Sequence, residues 1–157
     1  MPIAVPIATS AVRTALGPDG AFAQQIPGYQ PREPQIAMAE AVEQALSSRS
    51  LLLVEAGTGT GKTYAYLVPA ILSGKKAIVS TGTRNLQDQL FHRDLPMVRK
   101  LLGRPVRTAL LKGRSNYVCP YRLQQHLDEG EFESKQIVHD LHRVAAWAGK
   151  TEQGDIA

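Results

Sequence analysis

The feature that most constrains the fold of this chain is a glycine-rich octet between a short apolar run and an amphipathic segment. Residues 51–55 read LLLVE, the octet 56–63 reads AGTGTGKT, and residues 64–72 read YAYLVPAIL. The octet matches the pattern G-x-x-x-x-G-K-[ST], except that Ala56 replaces the first glycine. A buried strand, a tight turn and a helix are therefore predicted in this order.

The octet has the chemistry of a polyphosphate-binding loop. Because Gly57, Gly59 and Gly61 have no Cβ atom, successive backbone N–H groups can curl around anionic oxygens, and the positive end of the following helix adds to the attraction. Lys62 is predicted to reach the β and γ phosphates of a nucleotide, and the Thr63 hydroxyl to bind the bridging Mg²⁺. These two residues are the catalytic candidates. The predicted nucleotide-binding set is Ala56, Gly57, Thr58, Gly59, Thr60, Gly61, Lys62 and Thr63. The alternative is a glycine- and threonine-rich turn without a ligand.

Composition narrows the class of protein. The chain has 157 residues, about the length of one domain, and its net charge of +4 permits a nucleic-acid partner without requiring one. The single cysteine, Cys119, excludes an internal disulfide framework and favours a reducing, intracellular setting. Apolar runs stay well below the ~20 residues needed to cross a bilayer. The N-terminus has two early prolines and no basic start, so no signal peptide is predicted. We therefore expect a cytoplasmic location and no membrane partner.

Three apolar segments are predicted to be strands of an α/β domain with a mainly parallel sheet. They are residues 51–55, 77–80 and 106–111. The strand–helix–strand order of the first two predicts a right-handed βαβ unit with the phosphate site at the carboxyl end of the first strand. Residues 1–27 are rich in proline, glycine and alanine and lack a sustained period, so they are predicted to be a loose arm.

Helix signals lie between and after these segments. Pro34 is predicted to begin one helix, and Thr83 to cap another whose Leu86 and Leu90 face inward. Pro96 is predicted to open a third helix, and residues 137–148 carry an apolar stripe at helical spacing. An α/β class of fold follows from the alternation of these helices with the apolar runs.

Several polar residues have roles that their pattern leaves open. Tyr29, Arg32 and Gln35 precede a helix, and ordinary helix-entry chemistry explains them as well as a ligand contact does. The helix after Thr83 presents hydroxyls and amides suited to nucleic-acid phosphates, although a polar helix surface is the simpler interpretation.

Residues 112–122, KGRSNYVCPYR, form a basic stretch with two interleaved tyrosines. Such a stretch can follow a single strand of nucleic acid by charge and stack bases on its rings. A solvated basic turn is the alternative. Cys119, considered by itself, is interpreted as a buried free thiol.

In order along the chain, YQPREPQ, VEAGTGTGKTYAYLVPA, STGTRNLQDQLFHRDLP and LLKGRSNYVCPYRL resemble the iron–sulfur, XPD/DinG-like DNA helicases of superfamily 2, nearest to the bacterial YoaA-type members. The resemblance covers residues 17–154. It implies an incomplete RecA-like P-loop domain over residues 28–112 and the truncated start of an iron–sulfur domain over residues 113–157. It also implies ATP-driven movement on single-stranded or forked DNA, mostly 5′ to 3′, in replication or repair.

The resemblance also implies roles for individual residues. Arg32 and Gln35 match a Q-type motif that contacts the adenine side of ATP, with Tyr29 as a nearby stacking candidate. The implied contacts to the single-stranded DNA backbone, in motif Ia, are Thr81, Thr83 and Gln87. Cys119 matches the first of four cysteines that hold a [4Fe–4S] cluster. ATP, Mg²⁺ and this cluster are the implied cofactors of a full-length parent.

Departures from the family pattern limit what the chain is expected to do alone. A helicase needs a carboxylate that holds Mg²⁺ and activates water, and no apolar run here ends in the DEAH motif that supplies it. One cysteine stands where a cluster takes four. We therefore expect an amino-terminal piece that binds Mg·ATP with negligible turnover. The alternatives are a small P-loop kinase and an inactive fragment with an exposed sheet edge.

Overall fold

The computed structural model describes residues 10–130, 132 and 134–156, which divide into two units. The units are Met1–Thr108 and Ala109–Ala157. The helices of the first unit are α1 (Ala11–Leu16), α2 (Ala21–Gln25), α3 (Glu33–Ser48), α4 (Lys62–Leu72), α5 (Arg84–Gln89), a π-helical turn (Leu90–Asp94) and α6 (Leu95–Leu102). The helices of the second unit are a 3₁₀ turn (Arg114–Asn116), α7 (Pro120–Glu129) and α8 (Lys135–Ala148).

The first unit has a hydrophobic core in which α3 packs against α4, and α1, α2 and α6 close the remaining sides. Its largest fully buried side chains are Phe22, Leu16, Val12, Val68, Val98 and Pro69. Burying such side chains is the dominant favourable term in folding. The core therefore fixes the position of the helix that follows the glycine-rich octet.

The expectation of a loose arm over residues 1–27 does not hold for the described part of that segment. Residues 11–16 and 21–25 are helical, and Val12, Leu16 and Phe22 are completely buried. These helices have six and five residues, so neither is long enough to show a sustained hydrophobic period. Residues 1–9 lie outside the described residues.

The structure does not show the mainly parallel sheet predicted from residues 51–55, 77–80 and 106–111. The described residues contain no β-strand in these segments, and Leu51, Leu53 and Ile78 are almost completely exposed. A strand exists only where its backbone groups pair with a neighbouring strand. An apolar run indicates that a segment is suited to burial, and it does not indicate that a neighbour is available to it.

The predicted helices agree with the structure more closely than the predicted strands do. The helix around Pro34 begins at Glu33, and the one opened near Pro96 begins at Leu95. Thr83 caps α5, because its hydroxyl accepts the Leu86 N–H at 3.2 Å. Leu90 is buried as predicted, whereas Leu86 is 40% exposed and was wrongly predicted to face inward.

Polar contacts join the beginning and the end of the second unit. Tyr117 and Asp155 form an isolated antiparallel bridge, and Lys112 Nζ lies 2.9 Å from Asp155 Oδ2. The Val118 N–H donates to the Gly154 carbonyl at 2.8 Å. No described residue of this unit is buried.

A helix long and apolar enough to cross a membrane is not found among the described residues.

Candidate nucleotide-binding site

The glycine-rich octet forms a compact loop that leads directly into α4. Gly59 and Gly61 have φ angles of 79° and 81°, in the left-handed region that favours glycine. Gly61 is the N-cap of α4, and Lys62 is its first residue. The Thr60 hydroxyl closes the turn by donating to the Gly57 carbonyl at 3.0 Å. The loop therefore ends at a helix N-terminus, where unpaired N–H groups and the helix dipole favour an anion.

Lys62 folds back over the loop that precedes it. Its Nζ donates to the Ala56 carbonyl at 2.8 Å and to the Gly57 carbonyl at 2.7 Å. The positive charge is thereby held at the mouth of the loop, with two of its three N–H donors directed to backbone oxygens. A phosphate group at this position would compete for the same donors.

Thr63 and Tyr66 are neighbours on the first turns of α4. The two residues are three positions apart, about one helical turn, and both are half-buried. Burial raises the pKa of the Tyr66 hydroxyl. The Thr63 side chain therefore lies on the same face of the helix as an aromatic side chain.

Two residues at the start of α3 reach the loop from more than 25 positions earlier in the chain. Gln35 Nε2 donates to the Gly61 carbonyl at 2.9 Å, and Arg32 Nη1 donates to the Gly59 carbonyl. Gln35 is 4% exposed, whereas Arg32 is exposed. The structure therefore brings the predicted adenine-contacting pair and the predicted phosphate-binding loop together.

Tyr29 lies behind Gln35. Its hydroxyl is 3.0 Å from the Leu16 carbonyl and 3.3 Å from Gln35 Oε1. Its ring packs against Phe22 with the ring centroids 5.8 Å apart. Burial raises the pKa of the Tyr29 hydroxyl, so it remains a proton donor at neutral pH.

Thr81, Thr83 and Gln87 lie together around the start of α5. The Thr81 hydroxyl donates to the Thr83 carbonyl at 3.2 Å, which places the two threonines on one turn. Gln87 follows one helical turn after Thr83 and donates its backbone N–H to the Thr83 carbonyl at 3.1 Å. The Thr83 side chain is exposed, although its hydroxyl is engaged as the helix cap.

Cys119 is exposed, so the interpretation as a buried free thiol is wrong. It lines an open cavity of about 460 Å³ together with Arg114, Arg122 and His126. A [4Fe–4S] cluster takes four cysteine thiolates, and this chain contains one cysteine. Among the described residues, no group of three or more histidine, cysteine, aspartate or glutamate side chains could hold a metal. The residues present therefore do not fit the cluster.

Sequence reasoning missed a network of charged residues that fastens α1 to α3. Arg13 Nη2 lies 2.7 Å from Glu33 Oε1, and Arg13 Nε lies 2.7 Å from Glu40 Oε1. The Ser10 hydroxyl adds a bond of 2.6 Å to Glu43 Oε2. The signal was present in the sequence, because Glu33 and Glu40 are seven residues apart and so share one helix face.

The loop and its charged lysine at a helix N-terminus define a P-loop nucleotide-binding class of protein. The family description "DEAD/DEAH box helicase" matches residues 36–144. The chain belongs to this family, which implies a RecA-like fold.

Individual relatives agree with this assignment. The chain is 54% identical over 140 residues to the "ATP-dependent DNA helicase YoaA" of Escherichia coli strain K12, covering 89% of this chain and 22% of the relative. It is 50% identical over 137 residues to the protein of the same name from Haemophilus influenzae, covering 87% and 21%. It is 39% identical over 145 residues to the "3'-5' exonuclease DinG" of Bacillus subtilis, covering 90% and 16%. The chain thus spans about a fifth of the length of these curated relatives or less. No solved structure matches it.

Proposed function

We propose that this chain is the ATP-binding part of an ATP-dependent DNA helicase. The observation that carries the proposal is the meeting of Lys62, Gln35 and Arg32 on one glycine-rich loop at a helix N-terminus. A phosphate site and an adjacent polar pair from a separate helix are what a nucleotide with a triphosphate and a base requires. The names of the relatives, DNA helicases among them, support the same function.

Each part of the loop has a distinct role in this proposal. The backbone N–H groups of residues 57–63 surround the phosphates, and Lys62 exchanges its two loop carbonyls for β and γ phosphate oxygens. The Thr63 hydroxyl binds Mg²⁺, which neutralises the charge of the triphosphate. The exchange is favourable because a charged donor bonds a phosphate more strongly than a neutral carbonyl.

Arg32 and Gln35 are proposed to contact the adenine. Gln35 offers two N–H donors and an oxygen with two lone pairs, and its bonds to Gly61 and Tyr29 use one donor and one lone pair. One donor and one lone pair remain, which is the number that a bidentate contact to adenine takes. Arg32 is exposed beside the loop and is free to stack on or bond to the base from the solvent side.

The proposed DNA contacts lie at the exposed start of α5. The backbone of single-stranded or forked DNA is proposed to bind to Thr81, Thr83 and Gln87, which are grouped there.

The strands of the family's RecA-like sheet are proposed to be residues 51–55, 77–80 and 106–111. Their apolar character supports this proposal. In the helicase, ATP hydrolysis would drive movement along single-stranded DNA, mostly 5′ to 3′, during replication or repair.

The chain alone is proposed to bind Mg·ATP with negligible turnover. Hydrolysis needs a carboxylate that positions water and metal, and no apolar run after the loop ends in DEAH. Cys119 is proposed as one ligand of a [4Fe–4S] cluster only where three further cysteines are supplied from outside this chain. Family membership leaves the small P-loop kinase without support.

Calorimetric titration with Mg·ATP tests the proposal. Lys62→Ala is expected to weaken binding at least about tenfold, because hydrogen bonds to charged groups contribute about 1.5–3 kcal/mol each. Lys76→Ala is the matched control, since it removes the same charge from an exposed position outside the loop. Equal binding by the chain and its Lys62→Ala variant would contradict the phosphate site. DNA-stimulated hydrolysis by the unmodified chain would contradict the claim of negligible turnover.

A further inference from the structure

A continuous path of hydrogen bonds connects α1 to the phosphate-binding loop. It runs from the Leu16 carbonyl to the Tyr29 hydroxyl at 3.0 Å, from that hydroxyl to Gln35 Oε1 at 3.3 Å, and from Gln35 Nε2 to the Gly61 carbonyl at 2.9 Å. We propose that Tyr29 is a positioning residue whose hydroxyl holds the Gln35 amide in the orientation that the Gly61 carbonyl selects. The inference deepens the proposed function and rests on it for its effect on nucleotide binding.

The amide group of a glutamine side chain is nearly symmetric in shape. The oxygen and the nitrogen of a glutamine side chain have nearly the same size, so the shape of a pocket does not choose between the two orientations. The Gly61 carbonyl can only accept a hydrogen bond, and therefore only the Nε2 end of Gln35 is compatible with it. In the reverse orientation, two oxygens would face each other at the Gly61 carbonyl.

Tyr29 contacts the other end of the amide. Its hydroxyl has one proton, and both of its partners, Leu16 O and Gln35 Oε1, are acceptors, so the proton is shared between them. Gln35 is 4% exposed, which leaves little room for water to replace a lost donor. A hydroxyl can also accept from an amide nitrogen, so the choice between the two orientations is made at the Gly61 carbonyl. A buried amide oxygen without a donor is costly, and the Tyr29 hydroxyl therefore stabilises the orientation that Gly61 selects.

The position of the hydroxyl is fixed by an aromatic cluster of Phe22, Tyr29 and Tyr64. Phe22 is completely buried, and its ring lies 5.8 Å from that of Tyr29 and 5.4 Å from that of Tyr64. Tyr64 belongs to α4, the helix that begins at the loop. The cluster therefore ties α2 and Tyr29 to the same helix that the Gln35 amide contacts at its N-cap.

The path ends at a critical acceptor. The Gly61 carbonyl also accepts the backbone N–H groups of Tyr64 and Ala65, at 3.1 and 3.2 Å, and so closes the first turn of α4. Gln35 is a third donor to this oxygen, immediately before Lys62. A change in the Gln35 amide would alter the start of the helix whose N–H groups face the phosphates, and it would also move the donor and acceptor offered to adenine.

The variant Tyr29→Phe tests the inference because it removes the hydroxyl and keeps the ring. Tyr64→Phe is the matched control: it makes the same change in another half-buried tyrosine of the cluster, whose hydroxyl donates to Met97 Sδ at 4.0 Å and has no bond to Gln35. We expect Tyr29→Phe to weaken Mg·ATP binding about threefold to tenfold, the loss of one ordinary buried hydrogen bond. The preference for ATP over GTP should fall as well, and Tyr64→Phe should change neither.

Two further measurements separate positioning from general destabilisation. In a Gln35→Ala background, Tyr29→Phe is expected to have no additional effect on ATP binding, because the residue acts through Gln35. In ¹⁵N NMR spectra of the nucleotide-free chain, the Gln35 side-chain amide protons are expected to exchange with solvent faster in Tyr29→Phe than in Tyr64→Phe.

The outcomes are distinct. Unchanged exchange of the Gln35 amide protons in Tyr29→Phe would overturn the inference, whether or not the chain binds ATP. Equal effects of Tyr29→Phe with and without Gln35 would overturn it too, as would unchanged ATP binding, which would leave ring stacking as the role of Tyr29. A wild-type chain that binds no ATP while its Gln35 amide responds as expected would contradict the proposed function and support the positioning role.

Discussion

The two units of the chain differ in how completely they bury their apolar side chains. In the first unit, α1–α4 and α6 bury a set that includes Phe22, Val68 and Val98 with no exposed surface at all. In the second unit no described residue is buried, and the apolar side chains of α8, such as Val144 and Trp147, remain 41% and 37% exposed. Burial contributes roughly 25 cal/mol per Å² of apolar surface, so the first unit has the stronger driving force for folding.

The difference matters for function because the candidate nucleotide site belongs to the first unit. Gln35 and Gly61 are held by helices that share this core, and the aromatic cluster behind them is part of it. Cys119 belongs to the second unit, in which no described residue is buried. We infer that the nucleotide site is more strongly ordered by its surroundings than the region of the single cysteine.

The largest expected effect is that of emptying the first core. Phe22→Ala should lower the free energy of unfolding by about 3–5 kcal/mol, since it deletes a completely buried ring and leaves a cavity. Trp147→Ala, the corresponding change in the second unit, should cost less than about 1.5 kcal/mol because that ring is partly exposed. Urea unfolding followed by circular dichroism measures both.

A more conservative variant guards against complete loss of folding. Phe22→Leu keeps an apolar side chain of moderate size and should cost less than Phe22→Ala while preserving the rank order. Equal losses of unfolding free energy for the alanine variants at Phe22 and Trp147 would contradict the difference in burial between the two units. They would also restore the interpretation of residues 21–25 as part of a loose arm.

The sequence allowed good prediction wherever the signal was local. The octet 56–63 determines its own glycine conformations and the helix that follows, and Thr83 caps α5 through a bond to a residue three positions away. The structure does not show the three apolar runs as strands, and strand formation depends on neighbours that no local pattern specifies. The burial of Phe22 was missed for a related reason, since its five-residue helix gains stability only by packing on distant helices.

In the candidate site too, local sequence signals were informative and contacts between distant residues were not predicted. Lys62 and Thr63 followed from the motif itself, whereas the interpretation of Arg32 and Gln35 from residue pattern alone favoured simple helix entry. Only the family resemblance pointed to a nucleotide role for that pair, and the structure adds their bonds to the carbonyls of Gly59 and Gly61. The role proposed for Tyr29 could not be predicted from the sequence, because it depends on contacts among residues of α1, α3 and the loop that are distant along the chain.

A substitution at Gly61 tests how the contact with Gln35 affects nucleotide binding. Gly61→Ala should cost about 1–2 kcal/mol in folding, because φ is 81°, and a Cβ atom there would also lie 2.0 Å from Gln35 Nε2. The displaced amide should weaken Mg·ATP binding by about tenfold or more, as measured by titration. The matched control is Gly74→Ala, where φ is 64° and a Cβ would have no neighbour within 4 Å.

Both glycine variants share the conformational cost, so their difference isolates the contact with Gln35. Thermal unfolding should shift to a lower temperature for Gly61→Ala than for Gly74→Ala, because the added Cβ also displaces the buried Gln35 amide. Nucleotide binding should change only for Gly61→Ala. Similar binding by both variants would show that the approach of Gln35 to the loop has no part in nucleotide recognition.

The smallest expected effect concerns the charged network that fastens α1 to the first core. Arg13 holds the pKa values of the Glu33 and Glu40 carboxyls below their usual range, chiefly by hydrogen bonding, and these groups are partly exposed. Carboxyls with a depressed folded-state pKa stabilise the fold at neutral pH, and that contribution is lost as pH falls and they become protonated. Arg13→Ala should therefore lower the melting temperature at pH 7 by less than about 4 °C, and the difference from the unmodified chain should shrink as the pH falls below the usual range of carboxyl pKa values. The control is Arg107→Ala, which removes the same charge from an exposed position of the first unit without touching either glutamate. A difference in melting temperature between the unmodified chain and Arg13→Ala that stays constant from neutral to acid pH would mean that the arginine acts through packing of its aliphatic stem. In that case the charges would not contribute to the stability of the first unit. The two units would then differ only in how much apolar surface they bury.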